Sequence, residues 1–178
     1  QTPYKNAVVF CSRKQTVKDL TRNLKRSGFT VEEIHSDLEQ TVRENTLSAF
    51  ASGRVPLLVA TDIISRGIDI DTIDLVVNWD VPDDGEDYVH RIGRTARAEA
   101  DGTAYTLVSE ADQRKFGDIE RLLEKEVEKA PVPSELGPTP AYEPNKRQAG
   151  GGRFKRGGPS RGGRSQGGHV YRGTSNRR

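Results

Sequence analysis

Methionine is absent from these 178 residues, and cysteine occurs once, at Cys11. A lone thiol closes no internal disulfide. That suits a reducing compartment and makes a cytoplasmic location the expectation. No apolar run reaches the roughly eighteen residues of a bilayer-spanning helix, so no membrane partner is expected. The first residues lack the charged, apolar and small-residue order of a signal peptide. With Gln1 first and no methionine anywhere, the sequence reads as a piece of a longer protein. Its length allows one ordinary domain and a tail.

Acidic residues are also missing, but only from one stretch. Residues 146–178 hold 10 Lys/Arg, no Asp or Glu and 10 glycines, a charge of +10. Residues 1–145 hold 18 Lys/Arg and 26 Asp/Glu, a charge of −8. The basic stretch has almost no aliphatic side chains, so it cannot bury enough apolar surface to offset the entropy of ordering. It reads as a disordered Arg/Gly-rich tail. Two Arg-Gly-Gly triplets, at Arg156 and Arg161, stand with Phe154 and Tyr171. Arginine pairs with phosphates and stacks on bases, so the tail is expected to bind RNA. Residues 130–145, with "APVPSELGPTPAYEP", read as a linker stiffened by polyproline preference.

The remainder, residues 1–129, alternates two patterns. Short apolar runs suited to buried strands lie at 6–12 (NAVVFCS), 29–35 (FTVEEIH), 56–60 (PLLVA), 74–79 (DLVVNW) and 102–109 (GTAYTLVS). Between them, "KQTVKDLTRNLKRSG" places Val17, Leu20 and Leu24 at helical spacing, with Gly28 as the stop. "EQTVRENTLSAFASG" turns Val42, Leu47 and Phe50 inward, with Gly53 as its stop. Residues 110–129 read as one final amphipathic helix. Strands alternating with helices predict an α/β fold, a parallel sheet covered on both faces. Ligands of such sheets bind beyond the carboxyl ends of the strands.

The distinctive polar residues follow those strands. "FCSRK" offers Ser12, Arg13 and Lys14. "QTVR" sets Arg43 in the first turn of a helix, a ready anion site. In "ATDIISRGIDI", Thr61 and Asp62 cap a short turn, Gly67 lets the backbone bend, and Asp69 can accept from a sugar hydroxyl. "HRIGRTARA" spaces Arg91, Arg94 and Arg97 by three, on what reads as a helix start. Together they form a phosphate-friendly rim on an otherwise acidic domain. Cys11 and His35 read as structural, Trp79 as packed under the "DVP" loop, and Asp87 as a cap for the helix that follows.

These segments, at these separations, resemble the DEAD-box RNA helicases. "ATDIISRGIDI", "VVNWDVP" and "YVHRIGRTARA" resemble motifs V, Va and VI, "VVFCSRKQTV" motif IV, and "QTVR" the Q-x-x-R element. The resemblance spans residues 6 to about 126, the second RecA-like domain of that family. The Gly-rich basic tail is similar to that of bacterial RhlE-type members. The resemblance implies that Arg94 and Arg97 are arginine fingers on the ATP γ-phosphate, and that Arg91 and His90 bridge to carboxylates of a partner domain. It implies that Asp69 holds the ribose, that Arg43, Thr61, Gly67, Ser12 and Arg13 contact RNA, and that Phe10 packs near the fingers.

Two positions depart from the family pattern. Ala96 stands where glycine is usual, and the acidic "AEADG" follows motif VI in place of a basic stretch. No G-x-x-x-x-G-K-[ST] loop and no D-E-A-D occur. The P-loop lysine and the carboxylates for Mg²⁺ are therefore expected from an N-terminal RecA-like domain. The expected role is the C-terminal half of an ATP-dependent RNA helicase. The alternative is a stand-alone RNA-binding or partner-docking module without turnover.

Overall fold

The computed structural model describes residues 4–64, 73–95 and 102–145. Five strands form one wholly parallel sheet: β1 (Ala7–Phe10), β2 (Val31–Ile34), β3 (Leu57–Ala60), β4 (Leu75–Asn78) and β5 (Thr103–Thr106), in the order β2-β3-β1-β4-β5. Every expected strand is present at its expected place. The helices are α1 (Lys14–Arg26), α2 (Gln40–Ala51), α3 (Gly85–Ile92) and α4 (Gln113–Leu122).

Strand alternation sends each residue of β1 to one face of the sheet or the other. Val9 and Cys11, with Val59 and Val31, meet Val17, Leu20 and Leu24 of α1. Val8 and Phe10, with Leu58, Ala60 and Val76, meet Phe50 and Leu47 of α2. A third cluster joins α3 to α4 through Val81, Tyr88, Phe116 and Ile119. Gly28 ends α1 at φ +86°, where the Phe29 N–H reaches the Leu24 carbonyl at 3.0 Å and the Gly28 N–H reaches that of Lys25 at 3.1 Å. That paired closure needs a left-handed residue, which glycine supplies without strain.

Several local expectations fail. Val42 is 43% exposed and faces outward. Trp79 is also 43% exposed instead of lying under the loop. Asp84, not Asp87, caps α3, accepting from the Glu86 N–H at 2.9 Å. The "HRIGR" segment is a helix end, because α3 stops at Ile92 with Gly93 as its C-cap. The last helix covers 113–122 rather than 110–129. Just beyond it, Glu124 takes φ +51°, and the Glu120 carboxylate accepts from the Val127 N–H at 2.9 Å, folding the chain back.

Nor do residues 141–145 hang free as part of a linker. Gln113 grips the backbone on both sides of Tyr142, donating to the Ala141 carbonyl at 2.8 Å and accepting from the Glu143 N–H at 2.7 Å. The Tyr142 ring meets Phe116 edge-on at 6.3 Å, under the Lys129 ammonium at 4.4 Å. Its hydroxyl donates to Glu120 at 2.6 Å. Burial pushes that phenol up, and the adjacent carboxylate adds to the shift. Burial by itself would raise Glu120, but bonds from Lys129, Tyr142 and Val127 outweigh it and hold the carboxyl low.

A Cβ on Gly117 would lie 2.7 Å from the Pro144 Cβ. Gly117→Val should therefore lift this strap and cost about 1–3 kcal/mol, as overpacking does. Limited proteolysis checks it: cleavage between 130 and 145 should accelerate while the sheet stays resistant. An unchanged cleavage pattern would mean that the strap does not depend on this packing. Among the described residues, no helix is long and apolar enough to cross a membrane.

Candidate functional site

The carboxyl ends of β1, β3 and β4 deliver Ser12, Asp62 and Asp80 around one side chain, Arg91 in the last turn of α3. Arg91 is 0% exposed. Its Nε donates to Asp62 Oδ1 at 2.5 Å and its Nη2 to Asp62 Oδ2 at 2.7 Å, a two-pronged grip. Nη1 donates to the Asp80 carbonyl at 3.3 Å and lies 3.7 Å from its carboxylate. Nη2 also reaches Ser12 Oγ at 3.5 Å, and the guanidinium lies 5.5 Å from the centre of the Phe10 ring. A buried cation persists only when paired and hydrogen-bonded, and this one is both.

Asp80 closes the circle. Its two oxygens accept from the Ser12 N–H at 3.0 and 2.9 Å and from the Ser12 hydroxyl at 2.5 Å. Two expected contacts thus already have partners inside the domain: Arg91 is bonded to Asp62 and lies against Asp80, and the Ser12 hydroxyl is bonded to Asp80. Asp62 is more than a cap, because its carboxylate holds Arg91. Phe10 packs against Arg91, the buried member of the arginine series.

Other expected residues surround this junction. Thr61, beside Asp62, is half-buried, and its N–H is bonded to the Ile34 carbonyl at 3.1 Å. Arg13 is exposed at the start of α1. Arg43 lies in the first turn of α2, and its buried Nε has no hydrogen-bond partner. Both α1 and α2 begin with no side-chain cap and no acid in the first turn. Their first N–H groups are thus available to an anion. The start of α3 is the opposite, with the Asp84 cap followed by Glu86 and Asp87.

His90 is exposed in the last turn of α3. Arg94 follows the C-cap, half-buried, its N–H bonded to the Arg91 carbonyl at 3.2 Å. Gly67, Asp69, Arg97, Arg156 and Arg161 lie outside the described residues, as do Ala96, Phe154 and Tyr171.

His35 is structural, as read from the sequence: it is 1% exposed, and its Nδ1 accepts from the Asp37 N–H at 3.2 Å. Cys11 is buried in the α1 side of the core, and its thiol is pushed up to about 12 by burial and, secondarily, by Asp80. It is no nucleophile at neutral pH. No group of three or more His, Cys, Asp and Glu that could hold a metal occurs among the described residues. A divalent ion beside this site would need carboxylates from elsewhere. An anionic phosphate fits the uncapped helix starts and the cations Arg13, Arg43 and Arg94. The residue the sequence reading missed is Asp80, which stood only as part of "NWDVP".

Residues 1–99 match the family model of the helicase conserved C-terminal domain. The chain is 43% identical over 179 residues to DEAD-box ATP-dependent RNA helicase 14 of Arabidopsis thaliana, covering 98% of this chain and 28% of that protein. It thus spans little more than a quarter of that relative's length. Among solved structures, the DEAD-box protein SrmB of E. coli bound to RraA aligns with TM-score 0.72 and 36% identity, over 80% of this chain and 84% of that one. Dbp5 of S. cerevisiae bound to RNA and ADP BeF3 aligns with TM-score 0.62 and 33% identity, over 65% of this chain and 32% of that one. The parallel sheet, the site at its strand ends and these likenesses lead to one statement: the chain belongs to the helicase conserved C-terminal domain family, as the second RecA-like domain of a DEAD-box protein.

Proposed function

We propose that this domain works as the C-terminal half of an ATP-dependent RNA helicase that separates short RNA duplexes locally. The observation that carries the reading is the placement of Arg94. It follows the Gly93 C-cap of α3 directly, on a backbone bonded to Arg91, the side chain that the ends of β1, β3 and β4 surround. Arg43, Thr61 and Arg13 contact the RNA backbone, and the two uncapped helix starts favour phosphate beside them. Arg94, with Arg97, stabilises the charge that spreads over the γ-phosphoryl oxygens as they transfer. Asp69 holds the ribose, and His90 faces the N-terminal RecA-like domain. ATP supplies the free energy of closure. The P-loop and the Mg²⁺ carboxylates come from that N-terminal domain. The Dbp5 neighbour captured with RNA and ADP BeF3 supports RNA and nucleotide as the two ligands.

The tail, at +10 with two Arg-Gly-Gly triplets, adds RNA affinity without sequence preference. Its composition is the one support for a RhlE-type placement, and the curated relatives, which are eukaryotic, lend that none. The single buried Cys11 supports a reducing, cytoplasmic setting. The alternative is a binding module without turnover, in which Arg94 would serve only as a further phosphate contact.

Residues 1–178 by themselves should hydrolyse no ATP, with or without RNA, because the sequence holds neither a P-loop nor the D-E-A-D carboxylates. They should still bind unstructured RNA. Removing 146–178 should lower that affinity and flatten its salt dependence, by about 0.7 in log–log slope for each phosphate that the tail neutralises. A salt titration of both chains measures this. RNA-stimulated turnover by the isolated chain would overturn the two-domain reading, and equal affinities and slopes would reduce the tail to a solubility device.

A further inference from the structure

The seat under Tyr142 belongs to one helix. Gln113, Phe116, Gly117 and Glu120 follow one another at i, i+3, i+4 and i+7, so they share a single face of α4. Gln113 brackets the main chain at Ala141 and Glu143, Phe116 and Lys129 take the Tyr142 ring, and Glu120 accepts from its hydroxyl. Pro144 occupies the room that a side chain on Gly117 would take. Strap and seat fit along four residues, as a groove fits a peptide laid in it.

The segment that joins them is different in kind. Lys129 is tied to Glu120 and Ala141 to Gln113, and residues 130–140 lie between. All of these are exposed, Leu136 at 77%. Among the described residues their hydrogen bonds are local, from the Leu136 N–H to the Pro133 carbonyl at 3.0 Å and from the Gly137 N–H to the Ser134 carbonyl at 3.1 Å. Pro131, Pro133, Pro138 and Pro140 favour an extended course at about 3.1 Å per residue, roughly 34 Å in all. Here the segment doubles back instead, and the Lys129 ammonium lies 4.4 Å from the centre of the Tyr142 ring. The reversal turns on Gly137, at φ +95° and ψ −172°, a region that is essentially reserved for glycine.

We infer that the seat on α4 is an interface between two copies of this chain, in which each copy lays its strap on the partner's α4. Straightening residues 130–140 gives up only the local bonds of that hinge, and the strap contacts re-form on the partner. The exchange is mutual and closes at two copies, because the same patch serves on both. What opposes it is proximity, since a strap on its own short tether stands at its seat at an effective concentration in the millimolar range. Native chains are therefore single when dilute and pair as their own concentration nears that value. Pairing brings two basic tails into one assembly, and it is independent of the helicase reading.

Light scattering on residues 1–178 over a concentration series tests this. The native chain should be monomeric at about 10 µM and associate toward about 1 mM. Gly137→Val strains only the bent hinge, because an added Cβ there meets nothing within 4 Å, and valine suits an extended hinge. Pairing should strengthen by roughly 5–150-fold for each of the two hinges. The variant should then be dimeric at about 100 µM.

Two double variants separate exchange from any other contact. Gly137→Val with Tyr142→Ala spoils the strap and keeps the seat. Gly137→Val with Gly117→Val spoils the seat and keeps the strap, and Gln113→Ala replaces Gly117→Val if that chain fails to fold. Each alone should stay monomeric at about 100 µM, while their mixture forms one-to-one pairs in native mass spectrometry. A Gly137→Val chain that is monomeric at about 100 µM overturns the proposal. So does a dimer that survives Tyr142→Ala, and so does a mixture that stays unpaired.

Discussion

Replacing Arg94 by alanine in the two-domain protein should cut ATP turnover by about a thousandfold or more. At ~1.4 kcal/mol per decade, that is roughly 4 kcal/mol of lost transition-state stabilisation. The size follows from the chemistry. Phosphoryl transfer asks little covalent work of the protein, so a fixed, doubly donating cation carries much of the catalysis. The substitution should leave α3 in place, because the backbone N–H of residue 94 is bonded to the Arg91 carbonyl whatever its side chain. RNA affinity without nucleotide should stay within about twofold, because the side chain acts on the nucleotide. Arg94→Lys should rescue little, since a point charge cannot copy a planar fork. Steady-state turnover at saturating RNA measures the effect. A loss of less than about tenfold would strip Arg94 of the finger role.

Asp62→Ala should be the most destabilising substitution in the domain. It removes the two-pronged partner of a guanidinium that has no exposed surface, leaving the Asp80 carboxylate at 3.7 Å. Breaking a buried pair from one side costs about 3–5 kcal/mol, because the remaining charge stays desolvated. That is a large part of the ~5–15 kcal/mol that holds a typical domain together. Urea unfolding of residues 1–178 should show the midpoint falling steeply. The control is Arg121→Ala. That side chain is paired with Asp118 on the exposed face of α4, where such pairs are worth about 0–1 kcal/mol. Similar midpoint shifts for the two variants would mean that Arg91 is hydrated in solution and that the junction is looser than its short bonds imply.

The three inner strands, β1, β3 and β4, were legible because the middle of a parallel sheet leaves nearly continuous apolar runs. The ends of α1 and α2 were legible because Gly28 and Gly53 both take positive φ, which few other residues tolerate. The end of α4 was not. Its amphipathic pattern runs on past Leu122, and the helix stops because Glu120 bonds Val127 and Lys129 across the turn. Pattern carries no record of such captures. The strap was hidden by its prolines, whose composition says extended but not where an extended chain lands. Tyr142 settles that by finding Glu120 and Phe116.

The candidate site was legible as a set of residues and not as a wiring diagram. Motif spacing brought Arg91, Arg94, Thr61 and Ser12 together. Which of them would be buried depended on partners far away in the chain, Asp62 at 29 residues and Asp80 at 11 residues from Arg91. Asp62 and Asp80 look the same in sequence as any aspartate after a strand. Only the carboxyl-end geometry tells a helix cap from the counter-ion of a hidden cation.

The position of β1 has a consequence for how this chain is made. The first strand in sequence is the central strand of the sheet. Its neighbours β3 and β4 begin 50 and 68 residues later, at the partners of Ala7. A ribosome adding about 5–20 residues per second delivers the first of those partners several seconds after β1 itself. During that interval a wholly apolar strand has both edges open, a template for any other strand that passes. Nascent chains of this protein should therefore depend on holding factors at the exit tunnel far more than the finished domain depends on anything.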